Sequence, residues 1–370
     1  MKICTITCHD VSNYGASLQA FALQYYLESL GHEVKIIDYK PNYQNQYKFS
    51  TNIDEESPYY DYFIRFPFLK YIKGCLNYLR KYPTRKRTKY FNIFIRKYLH
   101  LTQRYTCVED LRSNPPQADI YIAGSDQIWS TKLPNGKDPA FYMQFGGNHI
   151  KRISYAASFG TTPKPEILPL VKELLLGIDK ISVRETSGLK ILNSMGYSGT
   201  HVFDPVFLLS SIEWVKALRF NSRDIKIKGK YILVYDIGIK MPEKEKFTKL
   251  LAQQYNCPIV SVNGLKTNSY ADVNINNAGP EDFVNLIANA QAIVADSFHA
   301  TSFSIIFHKP FYTFYKLGNI SRMADLLESL GLSERLNPSH LLQNPDWEDV
   351  EKKLTINIKR SKQFLLDNIC

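Results

Sequence analysis

The sequence predicts an α/β protein built from two parallel-sheet domains that face each other across a cleft. Strand-like and helix-like segments alternate in both halves of the chain. Several short apolar runs end in polar clusters, as at the carboxyl edge of an open sheet. The length of 370 residues fits two domains, since single cores stop growing at roughly 250 to 300 residues. The expected division is a Rossmann-like domain over 1–207 with an insertion over 41–117, a second such domain over 208–345, and a helical tail over 346–370.

Lys2 to Thr7 alternates and is β-prone. Asn13-Tyr14-Gly15 then opens an amphipathic run that continues to Leu30, Gly31 stops it, and Val34 to Ile37 is a second apolar strand. The turn lacks the G-x-G-x-x-G spacing of a dinucleotide site, so no nicotinamide or flavin cofactor is expected. Asn13, Tyr14 and Gly15 suit an anion or a sugar; equally, Gly15 serves only the tight turn.

From Pro41 to Pro116 the β-α rhythm is lost and the composition turns aromatic and basic. Helices with aromatic stripes are expected over Phe63 to Leu79 and Tyr90 to Leu99, separated by a basic turn from Arg80 to Arg87. Residues 62–108 hold twelve Lys and Arg and no acid, which leaves 34 basic against 35 acidic residues elsewhere, so this segment carries the whole +11 charge. A solvated face is the default explanation. The best functional one is an anionic membrane surface, with Lys and Arg on the headgroups and Phe, Tyr and Leu dipping into the interface. No nucleic-acid motif accompanies the charge, and no nucleic-acid partner is expected.

Asp119 to Ala123 is the next strand, ending in Gly124-Ser125-Asp126-Gln127-Ile128-Trp129. Gly124 permits close approach, Asp126 is a candidate base for a hydroxyl, and Trp129 is a candidate platform for a sugar ring. The rival reading has Asp126 capping a short helix. Lys151 to Ala157 is a strand, Pro165 to Leu176 is helix-like, and the stretch from Ile178 ends in Arg184 just past a strand. There a guanidinium clamps a carboxylate or phosphate, or pairs with a nearby acid.

The second half repeats the rhythm: strand 231–235, helix 242–255, strand 258–262, helix 280–289, strand 291–295 and helix 299–307. The last strand delivers Asp296, Ser297 and His299 to the start of a helix, where an imidazole can touch a bound anion. Against this, Asp296 or Ser297 caps the helix and His299 is a core histidine. Trp347 to Asn368 is a charged amphipathic helix or pair of helices.

No apolar run reaches the roughly 18 to 20 residues of a membrane-spanning helix, and the first residues run straight into a strand pattern without a signal peptide. A cytoplasmic protein is expected, peripheral at most to the inner face of the cell membrane. The six cysteines are scattered, so reduced thiols are expected and no metal site is.

Several of these stretches together resemble the polysaccharide pyruvyl transferase family: Asn13 to Ala20, Gly124 to Trp129, Ile181 to Glu185, Asp204-Pro205-Val206, and above all Asp296-Ser297-Phe298-His299 with Phe303 to Phe311. Asn319 to Arg322 and the leucines up to Leu332 fit the same pattern, so the resemblance spans about residues 3 to 335. It implies a fold like the GT-B glycosyltransferases, phosphoenolpyruvate as donor, a sugar of a surface glycan or lipid-linked precursor as acceptor, and no cofactor. It also implies that Arg184 and His299 hold the donor's carboxylate and phosphate.

Where some members carry an arginine two positions before the histidine, this chain has Ser297, so Arg322 or a lysine must supply that charge. Where some have a run of glycines, it has Gly124-Ser125-Asp126, the expected acceptor contact. On this resemblance His299 either binds phosphate or acts as general acid, and Asp126 is the candidate base.

Overall fold

A computed structural model describes residues 1–43, 85–218, 229–237, 241–263, 267–315 and 321–369, with positions 225 and 227. The first sheet holds β1 (Lys2–Ile6), β2 (Glu33–Tyr39), β3 (Leu101–Tyr105), β4 (Ile120–Ala123) and β5 (Lys151–Ser154), all parallel, in the order β3-β2-β1-β4-β5. Short β6 (Ser182–Val183) and β7 (Thr200–His201) pair with each other, and bridges from Ile153 to Lys180 and from Ala157 to Val183 join them to the β5 edge. The second sheet holds β8 (Ile232–Tyr235), β9 (Ile259–Val262), β10 (Val273–Ile275), β11 (Ala292–Ala295) and β12 (Phe311–Thr313), again parallel, in the order β10-β9-β8-β11-β12. Strand order therefore reverses between β1 and β4 and between β8 and β11, the places where open sheets leave a crevice.

Ile120–Ala123, Ile232–Tyr235 and Ala292–Ala295 are buried at every position. Strands covered on both faces need apolar side chains throughout. Among the described residues, the helices of the first half are α1 (Tyr14–Ser29), α2 (Arg85–Tyr98), α3 (Val108–Ser113), α4 (Leu168–Leu174), α5 (Thr186–Ser194) and α6 (Ser211–Leu218). The rest are α7 (Pro242–Tyr255), α8 (Pro280–Asn289), α9 (Phe298–Ile306), α10 (Ser321–Leu330) and α11 (Trp347–Ile369).

Helix α1 is buried on nearly all sides because it lies between the halves. Its Tyr14 stacks on Phe283 of α8 at 4.3 Å with the planes 4° apart, and donates its hydroxyl proton to the Ala278 carbonyl at 3.0 Å. One continuous apolar core includes Leu18 and Phe21 of α1 together with Phe283 and Phe303 of the second half.

Several expectations are corrected. Arg85 to Arg87 form the first turn of α2 rather than a loop. Leu101–Tyr105, assigned to the insertion, is the edge strand of the first sheet; only Tyr105 in it is buried, so no apolar run announced it. The aromatic stripe of α2 faces inward: Phe91 and Phe94 are core residues, and the outer face carries Lys86, Lys89 and Arg96. Those rings are not free to enter a lipid interface. The helix expected over Phe63 to Leu79 lies outside the described residues.

The tail is one helix, α11, and it packs back on the first half, where the Phe203 N–H donates to Ser361 Oγ at 2.8 Å. No helix among the described residues is long and apolar enough to cross a membrane. Cys4, Cys8, Cys107 and Cys257 are free thiols.

Candidate functional site

The carboxyl edges of the two sheets face each other, and polar side chains from both converge there. From the second sheet comes His299, in the first turn of α9, 8 % exposed. Its imbalance is visible in the packing: Nε2 is buried without a hydrogen-bond partner, 3.6 Å from Asp204 Oδ2. Its ring lies against Gly15, where a Cβ would come within 1.9 Å of Nδ1. Gly15 thus sits inside the first turn of α1, not in a tight turn, and its missing side chain makes room for the imidazole.

From the first sheet comes Arg184, directly after β6 and 4 % exposed. Nη1 donates to Asp204 Oδ2 at 2.6 Å, Nη2 reaches Asp126 Oδ1 at 3.5 Å, and the guanidinium lies over the Phe298 ring at 4.7 Å. Nε is buried with no partner. Burial works against the charge of Arg184, yet the carboxylates beside it, Asp204 first and then Asp126, outweigh it and push its pKa up.

Asp204 is itself fully buried, accepting from Ser125 Oγ at 3.0 Å and from the Val206 N–H at 3.1 Å. Burial would raise its pKa, but His299 and Arg184 hold the carboxyl well below the usual range. Asp126 follows Ser125 with φ of 73°, a conformation unusual for a residue with a side chain. It caps no helix, and its carboxylate faces Arg184.

Arg322, on α10, is the second buried guanidinium, 8 % exposed. With the Gln127 amide oxygen turned toward it, that oxygen accepts from Nη1 at 2.9 Å and Nη2 at 2.6 Å, while Nε has no partner. Burial and then the charge of Arg184 lower its pKa, so the two guanidinia weigh on each other. Arg184 Nε, Arg322 Nε and His299 Nε2 are thus buried without a hydrogen-bond partner, where buried polar groups ordinarily have one.

The sequence matches the family model for polysaccharide pyruvyl transferase over residues 13–315. The chain belongs to that family. No curated protein matches it. Among solved structures it is similar to a protein from Listeria monocytogenes described as a UDP-N-acetylglucosamine 2-epimerase, with 12 % identity, 98 % of this chain and 90 % of that one covered, and a TM-score of 0.51. It is also similar to UDP-GlcNAc 2-epimerase from Neisseria meningitidis, at 13 % identity, 98 % and 93 % coverage and a TM-score of 0.44. The glycosyltransferase SnogD from Streptomyces nogalater stands at 12 %, 98 % and 95 %, and 0.44. The fold is GT-B-like, with two Rossmann-like units.

Other residues singled out for this pyruvyl transferase family member have structural partners. Asn13 caps α1, accepting from the N–H groups of Gly15 at 2.9 Å and Ala16 at 3.4 Å. Ser297 caps α9, accepting from Ala300 N–H at 3.4 Å. A Cβ on Gly124 would stand 3.2 Å from Thr7 Cβ, and Ser125, fully buried, also bonds the Ala156 carbonyl at 2.9 Å.

Trp129 offers no face to a sugar: it is wholly buried, stacked on Tyr142 at 5.4 Å, and its indole N–H bonds the Phe141 carbonyl at 3.1 Å. Tyr14 is likewise enclosed by Phe283, Phe91 and Tyr235. Residues without an assigned role in the sequence reading are Asp204, Gln127, Glu185 and Phe298. Asp204 precedes a proline and caps the turn Pro205–Leu208; in the sequence it stood out only within the Asp204-Pro205-Val206 stretch of the family resemblance.

Proposed function

We propose that this protein transfers pyruvate from phosphoenolpyruvate to a sugar of a surface polysaccharide or lipid-linked glycan precursor, forming a cyclic ketal and releasing phosphate. The observation that carries the reading is the convergence of Arg184, Arg322 and His299, each with a buried nitrogen that lacks a partner. A small, highly charged anion matches that unspent donor capacity. Arg322 stands in for the arginine that some members carry two positions before the histidine.

Protonation of the methylene carbon makes the central carbon of this enol ester electrophilic. One sugar hydroxyl adds to it, and a second displaces phosphate. In this reading Arg184 and Arg322 stabilise the donor's charge, and Asp126, whose side chain is 20 % exposed, accepts a hydroxyl proton. The acceptor enters from the solvent side of Asp126. The exposed Lys86, Lys89 and Arg96 of α2 suit anionic lipid around a lipid-linked acceptor.

Thermal stability with phosphoenolpyruvate, with nucleotide sugars and with buffer alone tests the reading. A rise with phosphoenolpyruvate that disappears in Arg184→Lys is expected, since lysine cannot reproduce the planar fork. A rise with a nucleotide sugar alone would replace the reading with glycosyl transfer.

A further inference from the structure

Glu185 is the next residue after Arg184, and it is 1 % exposed. One carboxyl oxygen is fully used: Oε1 accepts from Ser158 Oγ at 2.9 Å and from the Phe159 N–H at 3.0 Å. The other, Oε2, is buried with no partner. An ionised carboxylate oxygen left bare in the interior is costly, whereas a protonated one carries a donor that needs only an acceptor. The charged groups that face Glu185 are Arg184 on its own strand end and Arg322 on α10, and neither makes a hydrogen bond to it. Burial outweighs both guanidinia and pushes the carboxyl up.

We propose that Glu185 keeps its proton in the folded protein and, through the Oε2 hydroxyl, donates a hydrogen bond to the anion held by Arg184, Arg322 and His299. It is then the acid of the donor site, and its hydrogen bond selects an anion that still has an acceptor free after the guanidinia are satisfied. This inference rests on the phosphoenolpyruvate reading above.

Infrared difference spectra of the wild type against Glu185→Gln at pH 7, with and without phosphoenolpyruvate, test it. The expected result is a protonated-carboxyl carbonyl band in the wild type that the variant lacks and that shifts when phosphoenolpyruvate is added. Glu185→Gln, whose amide N–H can donate in place of the acid, is expected to bind phosphoenolpyruvate within about 3-fold of the wild type. Glu185→Leu is expected to bind about 10- to 100-fold more weakly, the loss of one hydrogen bond to a charged group. Absence of the band overturns the proposal. So does a band that phosphoenolpyruvate leaves unmoved while it raises the melting temperature. If phosphoenolpyruvate does not stabilise the wild type at all, the functional reading fails and the donation to that anion with it, whereas absence of the band in the free protein overturns the proton on Glu185 alone.

Discussion

The imidazole of His299 occupies the space a side chain on Gly15 would need: a Cβ there would stand 1.9 Å from Nδ1 and 2.3 Å from Cε1. Gly15 belongs to the helix after β1 and His299 to the helix after β11, so this contact joins the carboxyl edges of the two sheets.

Gly15→Ala should therefore destabilise the protein, although alanine is the better helix former by up to ~1 kcal/mol. Overpacking of this kind costs roughly 1 to 3 kcal/mol, and the clash is with a ring held beside Asp204 rather than with a flexible chain end. Urea denaturation would measure the loss. The double variant Gly15→Ala/His299→Ala should recover most of it, because the added methyl then enters vacated space; no recovery would show that Gly15 matters for another reason.

Asp204→Asn should cost about 3 to 5 kcal/mol at neutral pH, because it leaves Arg184 buried without its closest partner. The pH dependence has a definite sign. The folded-state pKa of Asp204 lies below that of the unfolded chain, so its contribution is present in full above the unfolded value, about 3.9, and is lost as pH falls toward the folded value. The gap between wild type and variant, measured by urea unfolding at pH 7 and at pH 3, should narrow at pH 3. A gap that widens on acidification would contradict the ion pair.

Arg322→Gln removes one of two guanidinia that weigh on each other. Its effect on the free protein should stay within about 1 kcal/mol, as the charge was already opposed by burial and by Arg184. Donor binding should fall by about 10- to 100-fold, the range for a lost hydrogen bond to a charged ligand. Calorimetric titration with phosphoenolpyruvate would show it. Unchanged affinity would remove Arg322 from the donor site.

Trp129→Phe should lower stability by roughly 1 to 3 kcal/mol and leave phosphoenolpyruvate affinity within about 2-fold, since the indole is wholly buried in the core. A selective loss of acceptor use at normal stability would restore Trp129 as a sugar platform.

The sequence by itself determined the two parallel sheets, because strands buried on both faces are apolar throughout and need no partner to be recognised, as in Ile232–Tyr235 and Ala292–Ala295. It also brought out Arg184 and His299, since a polar residue directly after such a strand stands at a sheet's carboxyl edge. The exposed edge strand Leu101–Tyr105 was hidden because it buries too little to leave a pattern. Only the tertiary structure decided which polar residues meet. Asp204 carried no assigned role in the sequence and Trp129 was expected as a ring open to a sugar, yet the first lies against Arg184 and near His299 while the second is sealed in the core. Periodicity reports which face of an element is buried; what that face is buried against depends on packing between residues more than a hundred positions apart, as with Gly15 and His299.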